Sequence, residues 1–264
     1  MRKFAIATVA LLLTGSAYAA DLPTKAPLMV PPPPSWSGWY VGINGGGVWG
    51  NTDQTISVIN NTPAFFNTVN IPTVARVGST GFKNSGGLAG GQFGYLFRSG
   101  GGVMGLEASF DWTNAKGTSN VGGIYPANAP DGFTFARSAS TDWLVLLTAR
   151  GGPDMGSWFP YLTVGAAAAE LKYTNTFADP IFAAGCTTCT VSISQVAWGF
   201  VAGAGLEWQV VNNWSVRAEY LHIWFASMNG TLTPAPGIPP GTAQMNHAVN
   251  FGEDIGRLAI SYRF

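Results

Sequence analysis

The sequence predicts an all-β protein, a transmembrane antiparallel up-and-down β-barrel of eight strands. The chain begins with an export signal, and it is poor in charge and rich in aromatic residues, at 10% and 13%. Its last stretch, 248–264, alternates apolar and mostly polar residues with the period of a β-strand. No apolar run after the signal approaches the ~20 residues of a membrane helix. A closed barrel is then the route by which such a chain can cross lipid.

The export signal occupies residues 1–19. Arg2 and Lys3 precede an apolar run that ends at Leu13, and small residues flank Tyr18 before a cleavage site after Ala19. This order is typical of a secretory signal peptide. Of the 13 basic residues, cleavage removes two, and it removes none of the 13 acidic ones. The mature chain is therefore slightly acidic, which argues against nucleic acid as a partner.

A proline-rich segment follows at residues 20–35, with prolines at Pro23, Pro27 and Pro31 to Pro34. Proline lacks the N–H that a strand would donate and favours an extended chain. We expect a periplasmic leader, or alternatively a ligand for a periplasmic partner, followed by a barrel that spans 36–264.

Alternation and turn residues predict eight strands, at 36–50, 82–97, 103–112, 138–150, 159–173, 191–209, 214–225 and 248–264. The connections between them alternate between long and short. Long external loops and short periplasmic turns are typical of outer-membrane barrels, and an even strand number places both barrel ends on the periplasmic side. Apolar residues such as Ile56 and Phe65 in the first long connection would extend two strands or add a hairpin, which would make ten strands.

Three tryptophan pairs are separated by ten residues, each within one predicted strand: Trp39 and Trp49, Trp198 and Trp208, and Trp214 and Trp224. An even separation places both members on one face of a strand. A spanning strand needs ~9–11 residues, and tryptophan prefers both membrane boundaries. We therefore predict two aromatic girdles, which Tyr262 and Phe264 of the last strand join. Core pairs in a soluble sandwich are the alternative, and the strong alternation between the tryptophans favours the girdles.

Polar residues on the opposite strand faces would point into the lumen: Gln92, Glu107, Asp142, Arg150, Glu207, Arg217, Glu219 and Arg257. An eight-stranded barrel is just wide enough for side chains to fill. Charges inside it must pair, because an isolated buried charge is costly. We predict an internal charge network that plugs the barrel, with the lining of a narrow ion pathway as the alternative.

Other candidate chemistry is sparse. Cys186 and Cys189 form a lone CxxC in a predicted loop, and in an exported protein a disulfide is favoured over zinc. The two histidines, His222 and His247, have no spacing that specifies a catalytic triad or a metal site. We expect no enzymatic activity and no cofactor.

The start and the end of the mature chain resemble a known family. Ala20-Asp21-Leu22-Pro23, then Trp36-Ser37-Gly38-Trp39-Tyr40, and the ending Gly256 to Phe264 are similar to small outer-membrane β-barrel proteins of alphaproteobacteria, related to their major surface-antigen and porin-like barrels. The resemblance implies an abundant surface protein of the outer membrane. It also implies that the terminal Phe264 is read by the barrel-assembly machinery.

The usual roles of such proteins are envelope integrity and contact with a host or a surface. We therefore expect a structural, monomeric outer-membrane protein that is embedded in lipid and uses its external loops for contact. The alternatives are a narrow porin for small solutes or ions, and a surface protein that binds a ligand such as heme, as some relatives do.

Overall fold

The computed structural model describes residues 36–60, 67–180, 188–232 and 243–264. The predicted signal peptide at 1–19 and the proline-rich leader at 20–35 lie outside these ranges. Within them the chain forms one short helix, α1 (Ile71–Gly78), and the strands β1 (Gly38–Asn60), β2 (Phe82–Ser99), β3 (Gly102–Ile124), β4 (Gly132–Pro153), β5 (Trp158–Ala178), β6 (Thr188–Val211), β7 (Trp214–Phe225), β8 (Met228–Leu232) and β9 (Ala243–Arg263). No helix in the described ranges is both long and apolar enough to cross a membrane.

The strands close into an antiparallel ring. Each of β1 to β6 pairs with the next strand, and β9 pairs with both β7 and β1. The short strand β8 continues the line of β7 along β9, since Trp224 pairs with Gly252 and Met228 pairs with Val249. The ring is therefore eight strands in circumference, which confirms the predicted barrel and its strand number.

Most strands are longer than the sequence pattern predicted, and the largest extensions lie on the side of the long connections. β1 remains paired with β9 as far as Asn60, and β3 remains paired with β4 as far as Ile124. Aromatic residues on the inner face of these extensions, among them Phe133, Phe135 and Phe177, form an apolar core with Val74 of α1. It is separate from the core around Leu146 and Ile255, and we call it the second apolar core. That core explains why the extensions form, because strands outside lipid need a buried face of their own.

Glycines on the inner faces allow the strands to lie this close together. A Cβ atom added at Gly90 would come within 2.1 Å of the carbonyl oxygen of Phe110, and one added at Gly46 within 2.1 Å of the carbonyl oxygen of Gly256. The glycine-rich stretch Gly86–Gly91 therefore belongs to a strand, and it opens no helix that could bind a phosphate.

A bulge in β4 places one residue on the strand face opposite to the predicted one. The register with β5 shifts between Thr141 and Leu144, and both of these residues are buried in the lumen. The extra residue turns Asp142 to the outer surface, where its carboxylate lies 2.5 Å from Nζ of Lys172. The prediction that Asp142 points into the lumen was wrong, because alternation is interrupted where a bulge inserts a residue.

Candidate functional site

Four guanidinium groups and four carboxylates meet in the middle of the lumen. The cluster consists of Arg150, Arg217, Arg257, Arg263, Glu107, Asp111, Glu207 and Glu219. Each of these side chains is at most 7% exposed. The formal charges cancel, which is the condition under which buried charges can be tolerated. We refer to these eight residues as the lumen cluster.

Glu107 on β3 is its most connected member. Arg217 donates to both carboxylate oxygens, over 2.5 and 3.0 Å, and the Tyr40 hydroxyl donates to Oε2 over 2.6 Å. Arg257 adds a bond of 3.4 Å to Oε1. A two-pronged contact of this kind fixes the orientation of both groups and is among the stronger hydrogen-bonded pairs in proteins.

The remaining members form two smaller groups around this pair. Arg150 donates to Glu207 over 2.8 Å, and its guanidinium carbon lies 4.8 Å from the centre of the Tyr40 ring. Arg257 reaches Glu219 over 2.7 Å and Asp111 over 3.2 Å. The contacts join β3, β4, β6, β7 and β9, and Tyr40 adds β1, so the lumen cluster acts as an internal cross-brace.

Three contacts connect walls that face each other across the barrel. Strands β3 and β7 are four steps apart in a ring of eight, and they are joined by Glu107 and Arg217. Strands β4 and β9 are joined by the Thr141 hydroxyl, which donates to Glu253 over 2.6 Å. At the external end, the Tyr173 hydroxyl on β5 donates to the Gln54 side chain on β1. Side chains therefore cross the full width of the lumen at three levels.

The end of the barrel that carries the short turns, which we expect to face the periplasm, is filled by aromatic side chains. Trp36 is fully buried, donates its indole N–H to the Gly156 carbonyl over 2.7 Å and packs on Phe159 at 5.4 Å between ring centres. The guanidinium of Arg263 lies 4.6 Å from the Trp36 ring. This aromatic layer separates the lumen cluster from the periplasmic side.

The external end is covered by α1, which lies across the second apolar core. Arg137 of β4 donates to the carbonyl oxygens of Gly78 and Thr80 and to the Thr80 hydroxyl, the last over 2.8 Å. The Gln54 side chain donates to the Gly78 carbonyl as well. These bonds supply partners for carbonyl groups at the end of the helix, which a helix cannot satisfy by itself.

His247 lies in this external part, beyond the level of Trp224. It is buried, and its Nδ1 lies 3.4 Å from the amide nitrogen of Asn175, while its Nε2 has no hydrogen-bond partner among the described residues. Burial lowers the pKa of His247 from its usual 6.5 to about 4, because the charged imidazolium would lose its hydration.

All eight residues of the predicted girdles lie on the outer surface with exposed rings: Trp39, Trp49, Trp198, Trp208, Trp214, Trp224, Tyr262 and Phe264. They form two bands. Trp158 stacks on Trp208 at the periplasmic side, and Trp112 lies opposite Trp143 at the external side. The sequence pattern had not assigned these three additional tryptophans to a band.

Seven of the eight predicted lumen residues meet inside the barrel, and Asp142 is the exception described above. Gln92 joins them through Asn44, whose amide donates to it over 2.9 Å. Cys189 lies in β6 and is disulfide-bonded, whereas Cys186 lies outside the described residues, so their pairing remains a prediction. His222 lies on the outer surface, with Nδ1 at 2.6 Å from Asp254.

Several lumen residues were missed, although alternation could have found two of them. Asp111 lies four residues after Glu107, and Arg263 lies six residues after Arg257, so each shares the inner face of its strand. Trp36, at the start of the predicted first strand, was not assigned to the lumen either, and in the structure it lies two residues before β1 begins. Among the described residues, no group of three or more acidic, histidine or cysteine side chains could hold a metal ion.

Comparison with known proteins decides the family. The model of the outer membrane protein beta-barrel domain family matches residues 7–252. The chain belongs to this family. A 25 kDa outer-membrane immunogenic protein of Brucella abortus is 27% identical over 270 residues, which covers the whole chain and 99% of the relative. A 31 kDa outer-membrane immunogenic protein of Brucella melitensis is 27% identical, covering 84% of this chain and 86% of the relative.

Solved structures with a similar fold are also outer-membrane proteins. OprG of Pseudomonas aeruginosa has a TM-score of 0.42 at 15% identity, with 88% of this chain and 99% of that chain covered. The protease OmpT of Escherichia coli has a TM-score of 0.43 at 10% identity, with 86% and 97% covered. At these TM-scores, the structural likeness is no basis for assigning the activity of either protein to this chain. Family membership and the Brucella relatives place this barrel in the bacterial outer membrane.

Proposed function

We propose that this family member is a structural barrel of the outer membrane with a closed lumen. It would strengthen the envelope and present its external loops for contact with other surfaces. The observation that carries the proposal is the bond pair between Glu107 and Arg217, which crosses the lumen between opposite walls.

The electrostatics of the lumen cluster support closure. A solute or ion that passed through would have to separate groups such as Arg150 and Glu207, which are 2.8 Å apart and buried. Breaking a buried pair by removing one partner costs about 3–5 kcal/mol, and a passing ion would have to disturb several pairs in sequence. The aromatic layer around Trp36 adds a second, apolar barrier.

Lipid and the assembly machinery are the partners that this role requires. The exposed rings of the two bands suit the water–lipid boundaries. The terminal Phe264 is exposed on the outer surface, and its backbone N–H donates to the Trp39 carbonyl over 3.0 Å. That position closes the last strand against the first and leaves the ring free for recognition during assembly.

A swelling assay tests closure to solutes. Liposomes that contain the refolded barrel are placed in isotonic solutions of small sugars, with a general porin as positive control. We expect no swelling beyond that of protein-free liposomes. Swelling that depends on sugar size would contradict the closed barrel and favour the narrow porin.

A deletion strain tests the structural role. We expect loss of the gene in its own bacterium to raise detergent sensitivity, and we expect the wild-type chain to restore resistance. An unchanged barrier in the deletion strain would contradict the structural role while leaving the closed lumen untouched. A heme site receives less support, because His222 bonds Asp254 on the outer surface and His247 is buried.

A further inference from the structure

Most arginines of the barrel strands lie in the lumen, and Arg98 at the end of β2 is an exposed exception. Arg150, Arg217, Arg257 and Arg263 point into the lumen, and so does Arg137 at the external end. The lysines of the described residues, Lys83, Lys116 and Lys172, all lie on the outer surface instead. The strand register places these three lysines close together on one side of the barrel.

The register places the lysines along neighbouring strands. Lys116 of β3 lies opposite Ser85 of β2 on one side and opposite Ser140 of β4 on the other. Ser140 in turn lies opposite Lys172 of β5. Lys83 precedes Ser85 by two residues and therefore lies diagonally across from Lys116, at about 7–8 Å between Cα atoms.

These residues lie at the external aromatic band or just outside it. Ser85 is directly opposite Trp49, so Lys83 is one step further out along the strand. Lys116 is directly opposite Ser85 on its other side, so it lies in the same row of the sheet as Trp49. Tryptophan marks the water–lipid boundary, so Lys83 and Lys116 lie at the level of the lipid headgroups.

The two lysines differ from Lys172 in their partners. Lys172 is neutralised by Asp142 at 2.5 Å and by Glu170 at 3.5 Å. Neither Lys83 nor Lys116 forms an ion pair within the described part of the chain. The pair therefore presents two ammonium groups to the outer leaflet, neither of them in direct contact with a carboxylate of the described residues.

Lys83 also lines a cavity on the outer surface, with a volume of about 820 Å³. Trp49 and Trp224 supply aromatic walls, and Asn51 and Asp53 supply polar groups. Asp254 lies in the same cavity, but its carboxylate already accepts bonds from Tyr220 and His222, each to Oδ1. Rings and hydrogen-bonding side chains around a cation match a phosphorylated sugar better than a bare phosphate.

We propose that Lys83 and Lys116 bind the phosphorylated sugar headgroup of an outer-leaflet glycolipid. The phosphate lies between the two ammonium groups, and the sugar lies against the rings of Trp49 and Trp224. The Asn51 amide accepts hydrogen bonds from its hydroxyl groups or donates to them, and the Asp53 carboxylate accepts from them. The barrel would thereby hold glycolipid at a fixed position on one side of its circumference.

The experiment measures binding of diphosphoryl lipid A to the purified mature barrel in detergent micelles. The variants are K83Q/K116Q, K83R/K116R and K172Q, the last being a matched lysine whose charge is already paired. Dephosphorylated lipid A and inorganic phosphate serve as competing probes. All three substitutions lie at exposed positions, and heat-dependent gel mobility checks that each variant is folded.

We expect K83Q/K116Q to weaken lipid A binding about 25-fold, at about fivefold for each lysine near an anionic surface. K83R/K116R should keep the affinity within about twofold, because arginine retains the charge, and so should K172Q. Equal binding by K83Q/K116Q, an equal loss in K172Q, or equal binding of dephosphorylated lipid A would overturn the proposal. Competition by millimolar inorganic phosphate would also overturn it, because the site would then bind a free anion.

Discussion

The guanidinium of Arg217 on β7 donates to both carboxylate oxygens of Glu107 on β3, over 2.5 and 3.0 Å. The two strands lie on opposite walls of an eight-stranded ring, so this one ion pair spans the lumen. An internal cross-brace of this kind accounts for both the stability and the closure that we propose. The following predictions test it at separate places.

Removing the charge of Glu107 should destabilise the barrel strongly. We expect Glu107→Gln to lower the free energy of unfolding by about 3–5 kcal/mol, because Arg217 is left buried without its charged partner. Urea unfolding in lipid vesicles measures the change. The control is Asp142→Asn, which removes a pair that is 42–44% exposed and should cost less than about 1 kcal/mol. Equal losses in both variants would argue against the special role of the lumen pair.

The external part of the barrel should lose stability in mild acid. The pKa of His247 is about 4 in the folded chain and near 6.5 when exposed. Folding therefore favours the neutral imidazole of His247. The stability that this adds to the free energy of unfolding is complete above pH 6.5 and is lost as the pH falls towards 4. The full effect is about 3 kcal/mol.

The measurement is the free energy of unfolding between pH 7.5 and 4 for wild type, His247→Phe and His222→Gln. We expect His247→Phe to remove this contribution to the slope and His222→Gln to retain it. A wild-type slope that survives in His247→Phe would assign the effect to other groups.

The described fold could be predicted largely from alternation, and its exceptions have local causes. Phe264, Tyr262 and Ile260 alternate without interruption, so both faces of β9 could be read correctly from the sequence. Asp142 could not, because the bulge after Thr141 leaves no mark in the pattern of polar and apolar residues. Helix α1 was missed because it has only eight residues and is held by tertiary contacts to Arg137 and Gln54.

The candidate site could also be predicted only in part from the sequence. Alternation could assign Glu107, Arg150 and Arg217 to the lumen, but it could not say which carboxylate each guanidinium would meet. Pairing depends on the order of the strands around the ring and on their register. Both are set by contacts far apart in sequence, such as that between β1 and β9.

Lipid quenching should separate tryptophans inside the barrel from those on its surface. Trp198 is 67% exposed on the outer surface, whereas Trp36 is fully buried in the lumen. With brominated lipids as quenchers, we expect Trp198→Phe to lower the quenched fraction of the fluorescence and Trp36→Phe to raise it. The opposite pair of changes would mean that the faces of the barrel have been assigned the wrong way round.

The helix at the external end should depend on one arginine. Arg137→Gln removes the bonds to Gly78 and Thr80, and we expect faster amide hydrogen exchange over residues 71–80 with the spanning strands still protected. Arg76→Gln, on the exposed face of the same helix, is the control and should leave exchange unchanged. Unchanged exchange in Arg137→Gln would contradict this dependence and leave the packing of Val74 and the bond from Gln54 to hold α1 in place.

Conductance of the refolded mature chain in a planar lipid bilayer tests the closed lumen most directly. We expect insertion without steady channel steps in the wild type, because the lumen cluster and the Trp36 layer cross the lumen at successive levels. Steady channel steps in the wild type whose size changes in Arg150→Ala or Glu207→Ala would contradict the account. They would make the same buried charges the lining of a pore.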